Sequence, residues 1–270
     1  MPSDTESPAA FGLELAAATD AARAGGAAIR EVFGRPHAVT YKTGDDPLTA
    51  ADSASDRCIR DRLRSAFPRD GWLSEEGDAR QGADVGRVWV VDPLDGTREF
   101  VQHIPEFAVS IALTVDGRPV VAVVYNPIRD QLVSAVRDGG VHVDGRSVAA
   151  SDTADLATAV VLASRSEVSR GDWEPFEGRC RVRPTGSVAY KMALVAIGEA
   201  DATISLAPKH GWDVCAGILL VEEAGGRASL LDGRPLDMTH PAALIDGLIA
   251  SNAELHAQIL AAVAVTPRPA

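Results

Sequence analysis

Five short runs rich in β-branched residues fill the middle of the first half of the chain and demand a sheet. They are WLS at 72–74, VWVVD at 88–92, VSIALTV at 109–115, VVAVVYN at 120–126 and QLVSAV at 131–136. Each has the length and composition of a strand, and DG and GRP turns separate several of them. Val109, Ile111, Leu113 and Val115 alternate along their run, which predicts a sheet with one buried face. VVAVVY is apolar nearly throughout, as a central strand is.

Helical periodicity flanks these strands. Leu13, Ala17, Ala21, Ile29, Val32 and Phe33 recur at helical spacing, which predicts a helix over 11–33. Gly25-Gly26 is either a weak point or a close-packing site within it, and Gly34 and Pro36 end it. Residues 1–9 are expected to fray. TGDDPLT at 43–49 reads as a turn. A helix over 49–67 follows, with Ile59 and Leu63 on one face and charges on the other. Beyond residue 150 the pattern becomes alternating strand and helix. AVVLAS, DATISL, ASLL and DGLIAS read as strands; SVAYKMALVAIG, WDVCAGILLVEEA and a segment ending near Val263 read as helices. The fold class is α/β (α+β), in two interlocked halves, 1–150 and 151–270, with no internal repeat or flexible linker.

The 270 residues carry 38 acids against 26 bases, a formal charge of −12. That field repels nucleic-acid backbones and anionic membranes, so neither is an expected partner. It also repels a phosphorylated metabolite, unless bound cations reverse the sign locally. Cys58, Cys180 and Cys215 are too few and too scattered for a disulfide framework or a Cys-x-x-Cys metal site. The N-terminus lacks the basic region of a signal peptide, and no apolar run has the length of a membrane span. The expected location is the cytoplasm.

One motif concentrates chemistry. VWVVDPLDGT at 88–97 takes a buried strand into Asp92, where Pro93 is expected to stop pairing. Asp95 follows, then Gly96 and Thr97, where a helix starts. Gly96 allows close backbone approach, and the N–H groups of Gly96 and Thr97 suit a phosphate. Carboxylates beside phosphate donors make sense with a divalent cation between them. Taken alone, Asp92 and Asp95 are equally readable as helix caps. Three further segments bear on the choice: LSEEGD at 73–78, with Glu75 and Glu76 after a strand; GWDVCAG at 211–217, with Asp213 at a helix start; and DPLTAAD at 46–52, with Thr49 and Asp52 on a first helical turn. Each has a bland reading as acidic loop, cap or charged helix face.

Together, in this order, the four segments resemble the inositol monophosphatase superfamily, the Mg²⁺-dependent and often Li⁺-sensitive phosphatases, from about residue 11 to the C-terminus. The resemblance implies a layered α-β-α-β-α sandwich and two or three Mg²⁺ ions. By motif, Glu75 matches a metal-binding glutamate, Asp92 the bridging carboxylate and Leu94 a ligand through its carbonyl. Asp95 and Asp213 match the remaining ligands of the second ion. Thr97, with the acid at Asp52, matches the pair that orients or deprotonates the attacking water. Gly96 and Thr97 would hold the phosphate oxygens during in-line attack. A non-catalytic protein of this fold would be expected to have lost a ligand, and all five positions are intact.

The substrate signal is mixed. DGTREF resembles the branch that cleaves 3'-phosphoadenosine 5'-phosphate, and PTGSVAYKMALVAIGEAD resembles its G-S-x-x-x-K segment, which brings in Gly186, Ser187 and Lys191. Lys191 would meet a second phosphate, or else be a solvated helix lysine. Inositol phosphatases carry an acid seven positions before the aspartate of the W-D motif; that position is Leu206, which cannot hydrogen-bond a polyol. Lys209 and His210 nearby suit an anion. Against this, DGLIASNAELHAQIL and VVYNPIRDQL look at least as much like the inositol branch. The first expectation is hydrolysis of 3'-phosphoadenosine 5'-phosphate to AMP. The alternatives are inositol 1-phosphate, histidinol phosphate or a sugar phosphate. The partner is a small phosphorylated metabolite, and the family contains both homodimers and monomers.

Overall fold

The computed structural model describes residues 8–35, 38–41, 47–77, 86–240 and 243–265. A 3₁₀ turn at Pro8–Phe11 enters α1 (Gly12–Val32). Ala18, Ala21, Ala22 and Ile29 bury one stripe of this helix, and Gly25 and Gly26 lie in the same stripe. A Cβ on Gly25 would stand 2.6 Å from Ser55 Oγ, and one on Gly26 2.5 Å from the Tyr125 ring. The pair is therefore a close-packing site. Pro36 and residues 43–46 of the expected turn lie outside the described residues. The rest of that segment is not turn but strand: β1 (Val39–Tyr41) pairs antiparallel with β2 (Pro47–Thr49). Helix α2 (Ala50–Ala66) begins with a capping box: Thr49 Oγ1 accepts from Ala51 N (3.1 Å) and Asp52 Oδ2 accepts from Thr49 N (2.8 Å).

Strands β3 (Gly71–Ser74) and β4 (Arg87–Asp95) are parallel neighbours. The short helix α3 (Thr97–Val101) follows, then β5 (Ala108–Val115), β6 (Arg118–Asn126), β7 (Gln131–Val136), β8 (Val141–Val143) and β9 (Arg146–Val148), antiparallel in sequence order. Pro93 does not stop pairing. Strand β4 runs on to Asp95, which pairs with Ala108 after a register shift between Asp92 and Asp95. The missing proline N–H is accommodated as a bulge, and a bulge re-aims side chains. Nor has this sheet only one buried face. Val109, Ile111 and Leu113 pack with Ile29 and Ile59 of α1 and α2. Ala108 and Ala112, on the other face, are equally buried, against helices from the second half. Small alternate residues leave room for a helix, and that reads as one-sided alternation.

The second half supplies β10 (Val160–Ala163), α4 (Arg165–Ser169), β11 (Arg181–Pro184), α5 (Val188–Ala196) and β12 (Ala202–Ser205). After these come β13 (Lys209–His210), α6 (Gly211–Glu223), β14 (Arg227–Ser229), β15 (Leu244–Ile245), β16 (Leu248–Ser251) and α7 (His256–Ala264). Its main sheet has the order β11-β10-β12-β16-β14. Helices α5 and α6 lie between the two sheets in one core, with Ala122 and Val124 on one side and Leu162, Leu248 and Ala250 on the other. Ile259 and Val263 of α7, with Trp173 and Phe176, cover the outer face. The layers are α1/α2, sheet, α5/α6, sheet, α7: the α-β-α-β-α sandwich. No helix among the described residues is long and apolar enough to cross a membrane.

Candidate active site

Parallel pairing of β3 with β4 brings two chain exits to one edge. Glu75 leaves β3, its N–H bonded to Val91 O (3.2 Å). Asp92 is 1% exposed, and its Oδ1 accepts from Leu94 N (2.9 Å), which sets the bulge that turns Asp95. Gly96 then adopts φ +99°, and a Cβ there would stand 3.0 Å from Glu106 O and 3.1 Å from Phe107 Cβ. Only glycine suits that turn, which delivers Thr97 to the start of α3.

Three other elements converge on this edge. From α2, Asp52 faces Thr97: Thr97 Oγ1 lies 3.0 Å from Asp52 Oδ1 and 3.1 Å from Leu94 O. Asp52 Oδ2 is held by Thr49 N and Thr49 Oγ1. Ser55 Oγ ties α2 to the bulge through Pro93 O (2.8 Å). From α6, Asp213 accepts from His210 N (3.0 Å), so it both caps the helix and faces the cleft. From α5, Ser187 Oγ and Ala189 N both donate to Asp95 Oδ2 at 2.6 Å. Ser187 holds φ +58°, an unusual conformation for a non-glycine residue, and its Oγ also caps Tyr190 N. Gly186 and Ser187 thus line the cleft while Ser187 grips a carboxylate.

The cleft has a volume of about 450 Å³. Glu75, Asp92, Leu94, Asp95, Gly96, Thr97, Gly186, Ser187, His210 and Asp213 all line it, as expected from the motifs, whereas Glu76 does not. Burial is the main cause that pushes the Asp92 and Asp213 carboxyls well above the usual range. The surrounding acids add to it: Glu75, Asp95 and Asp213 act on Asp92, and Asp95 and Glu75 on Asp213. Burial also raises Asp95, against the bonds from Ser187 and Ala189, and raises Asp52, against the bonds from Thr49 and Thr97. Like charges held together at one cleft edge suit a cation. The donor set is all oxygen, four carboxylates and the Leu94 carbonyl, which fits a hard ion such as Mg²⁺. Among the described residues no three acid, imidazole or thiol side chains stand close enough together as they are to hold a metal ion; Asp95 is turned to Ser187 and Ala189, and Asp213 to His210 N.

Two sequence expectations fail here. Lys191 is neither a solvated helix lysine nor part of the cleft lining. It is 1% exposed, and burial above all, then Lys209, pushes its ammonium down to about 8. Leu206 does not reach the cleft either. Its side chain is buried with Trp173, Phe176 and Leu231, and its N–H donates to Glu167 Oε1 (3.1 Å). Its apolar character is explained by the core, so it says nothing about ring hydroxyls.

The rest of the cleft lining was largely missed from sequence. It includes Arg98, Gln102, Ser164, Arg165, Ser166, Ser169, Thr185 and Lys209. Arg165 is fixed by Glu106, whose Oε2 accepts from Nε (3.0 Å), Nη2 (2.7 Å) and Gly186 N (2.9 Å). Lys209 was named as suiting an anion, and Arg98 and Thr185 fall within quoted motifs; Ser164, Arg165, Ser166 and Ser169 come from SRSEVSR, a polar run with no spacing that marks a site.

The model of the inositol monophosphatase family matches residues 14–266. The chain is 36% identical over 209 residues to inositol-1-monophosphatase of Rhizobium meliloti, covering 74% of this chain and 78% of that protein. It is 36% identical over 227 residues to Nus factor SuhB of Escherichia coli K12, covering 80% and 84%. Among solved structures, extragenic suppressor protein SuhB from Bartonella henselae superposes with a TM-score of 0.86 at 29% identity, over 95% of this chain and all of that one. Inositol monophosphatase from Anabaena superposes with a TM-score of 0.82 at 28% identity, over 96% and 98%.

Proposed function

The chain belongs to the inositol monophosphatase family, whose members are in general Mg²⁺-dependent phosphatases, and from that premise we propose that it hydrolyses a small polyol or sugar phosphate monoester, with inositol 1-phosphate as the first candidate. One observation carries this reading: four acids, Thr97 with Asp52 hydrogen-bonded behind it, and hydroxyl, amide and cationic groups share one cleft.

Glu75, Asp92 and the Leu94 carbonyl would hold one Mg²⁺, and Asp92, Asp95 and Asp213 a second, with Asp92 shared. Bound Mg²⁺ supplies positive charge for the phosphoryl and leaving-group oxygens and lowers the pKa of water. Thr97 has a single hydroxyl proton and two acceptors within reach, Asp52 Oδ1 and Leu94 O. With Leu94 O engaged elsewhere, the proton goes to Asp52. The Thr97 oxygen is then free to accept from the attacking water, and Asp52 is the base behind it. Gly96 and Thr97 N–H groups would hold equatorial phosphate oxygens. Bound Mg²⁺ would offset the cleft acids, and Arg98 and Lys209 in the lining would then add to the attraction for an anion in a chain of net charge −12.

The lining favours a polyol over a nucleotide. Its side chains are mostly Ser, Thr, Gln, Arg and acids, with Leu94 and Val188 the apolar ones and the His210 ring, stacked on Trp212 at 4.3 Å, its one flat surface. A nucleobase calls for a broader apolar shelf. Arg98 and Lys209 are the specific reason to keep 3'-phosphoadenosine 5'-phosphate as the second reading, since they suit a second anionic group. The experiment is phosphate release with Mg²⁺ from inositol 1-phosphate, 3'-phosphoadenosine 5'-phosphate, histidinol phosphate and a sugar phosphate in parallel, with EDTA controls. Preference for inositol 1-phosphate is expected. Preference for the nucleotide would overturn the polyol reading, and release unaffected by EDTA would overturn the metal assignment.

A further inference from the structure

Lys191 sits one layer behind the cleft, on α5, with its ammonium buried. Its Nζ lies 2.7 Å from Ser164 Oγ, and among the described residues this is its one hydrogen bond. Asp95, Glu99 and Glu167 are near enough to favour its charge, but none forms an ion pair with it among the described residues. A buried cation has thus given its directed contact to a neutral hydroxyl that lines the substrate cleft.

An ammonium has donors and no acceptor. In this pair Ser164 Oγ must therefore accept, and the Ser164 hydroxyl proton must point elsewhere. It does not go to the protein. Ser164 occupies the N-cap position of α4, where a serine oxygen ordinarily accepts from a backbone N–H, and that bond is not made: the oxygen accepts from Lys191 instead. Nor does it donate to any acceptor among the described residues. The remaining direction is the cleft, beside Arg165 and Ser166.

We infer that Lys191 is a positioning residue that fixes the Ser164 hydroxyl as a one-way donor to an oxygen on the substrate's leaving group. The inference rests on the phosphatase reading above. It concerns the part of the substrate beyond the scissile phosphate: Ser164 lines the same cleft as the acids and the Gly96–Thr97 turn but is hydrogen-bonded to none of them among the described residues. It also gives a reason for a lysine at this position on a helix that is otherwise apolar and buried. Arg98, Arg165, Lys209 and an oriented Ser164 together make a wall of donors, which selects leaving groups rich in acceptor oxygens.

The test compares two leaving groups. One is the better cleaved of inositol 1-phosphate and 3'-phosphoadenosine 5'-phosphate. The other is phenyl phosphate, whose ring offers that wall no acceptor. Lys191→Met keeps length and removes the donors; Ser164→Ala removes the hydroxyl. Each is expected to raise KM for the oxygen-rich substrate about tenfold, the size of one lost hydrogen bond. The kcat for that substrate and both constants for phenyl phosphate should stay within about twofold. The double variant should be no worse than the weaker single one, because Lys191 acts through Ser164. Equal losses on both substrates would make Lys191 merely structural and overturn the inference, as would fully additive effects. Titration calorimetry of the same ligand with Ca²⁺ in place of Mg²⁺ gives a readout independent of turnover, with about tenfold weaker binding expected in each variant. Unchanged binding overturns the inference. Failure of the parent protein to release phosphate with Mg²⁺ from these three and from histidinol phosphate and a sugar phosphate overturns the phosphatase reading, and with it the leaving-group role; a selective loss in the variants of an active parent is what the Lys191 inference predicts.

Discussion

Asp95 shows how one carboxylate serves two demands. Its Oδ2 holds the start of α5 through Ser187 and Ala189, and it also stands among the acids that would bind metal. Asp95→Asn keeps an oxygen for the first task and loses the charge for the second. The expected kcat/KM falls by about 10³-fold or more, the scale of several kcal/mol of lost charge stabilisation. Without Mg²⁺ the variant should melt no lower than the parent, because a buried charge beside Glu75 and Asp213 has gone. Steady-state rates and a melting curve check both halves; retained activity would sink the metal assignment. Thr97 carries a separate prediction. Thr97→Val should lower kcat by about 10² to 10⁴, the span of general acid–base catalysis, while Thr97→Ser keeps most of it. Equal kcat in the two variants would remove Thr97 from the proton path. The residues of this argument were legible because Asp92, Asp95 and Gly96 share a strand and a turn, and each motif fixes its own geometry. Lys191 and Leu206 were not legible. Neither their depth nor the direction of their side chains follows from spacing, since α5 is buried all round and Leu206, just past the end of β12, turns into the outer core cluster.

Helices and strands were read well where periodicity ran long, and less well where an element served the site. The predicted 11–33 and 49–67 helices are α1 and α2 to within a residue or two. Pro93, read as a stop, sits inside a bulged strand because Asp92 Oδ1 takes the Leu94 N–H that the ladder does not. Pro47–Thr49, read as turn, pairs as a strand because β1 supplies the partner. Strand-edge context of this kind comes from residues elsewhere in the chain. The α1–α2 contact gives a prediction at this scale. In isolation Gly25→Ala should favour the helix by about 1 kcal/mol. In the protein the added Cβ would meet Ser55 Oγ at 2.6 Å and Ile59 Cδ1 at 2.9 Å. Overpacking costs about 1–3 kcal/mol, so a net loss of stability is expected in urea denaturation. Because α2 carries Asp52, and Ser55 holds the bulge through Pro93 O, kcat should fall with it. A variant more stable than the parent and fully active would show that α2 moves without consequence for the site.

At the scale of the whole molecule, a chain of net charge −12 folds around a half-buried cluster of acids. Burial raises Asp52, Asp92, Asp95 and Asp213 above 3.8. Between 3.8 and those raised values the folded state binds more protons than the unfolded one, so stability falls as pH rises through that window. Asp130, Asp201, Asp232 and Asp237 are lowered instead. Their contribution is present above 3.8 and is lost only as pH falls below it, so they do not compete at the pH values of interest. His256, whose pKa burial lowers from 6.5, acts the other way: the unfolded chain takes its proton first, and stability drops as pH falls below 6.5. A melting curve against pH therefore mixes two opposed terms. The gain on adding Mg²⁺ separates them, because His256 lies between Ser229 and Ser251, away from the cleft. Protons compete with the cation for the cleft acids and not for His256. At about 100 times its dissociation constant Mg²⁺ should add about 2.7 kcal/mol, or about 5–10 °C for a chain of this size. That gain should be present at pH 8 and shrink at pH 5.5 at the same Mg²⁺ concentration. In a variant with Asp92 and Asp95 both replaced by Asn it should vanish at either pH. An equal gain at both pH values in the parent would mean that the acids are already ionised when folded without metal, and that burial does not set their charge.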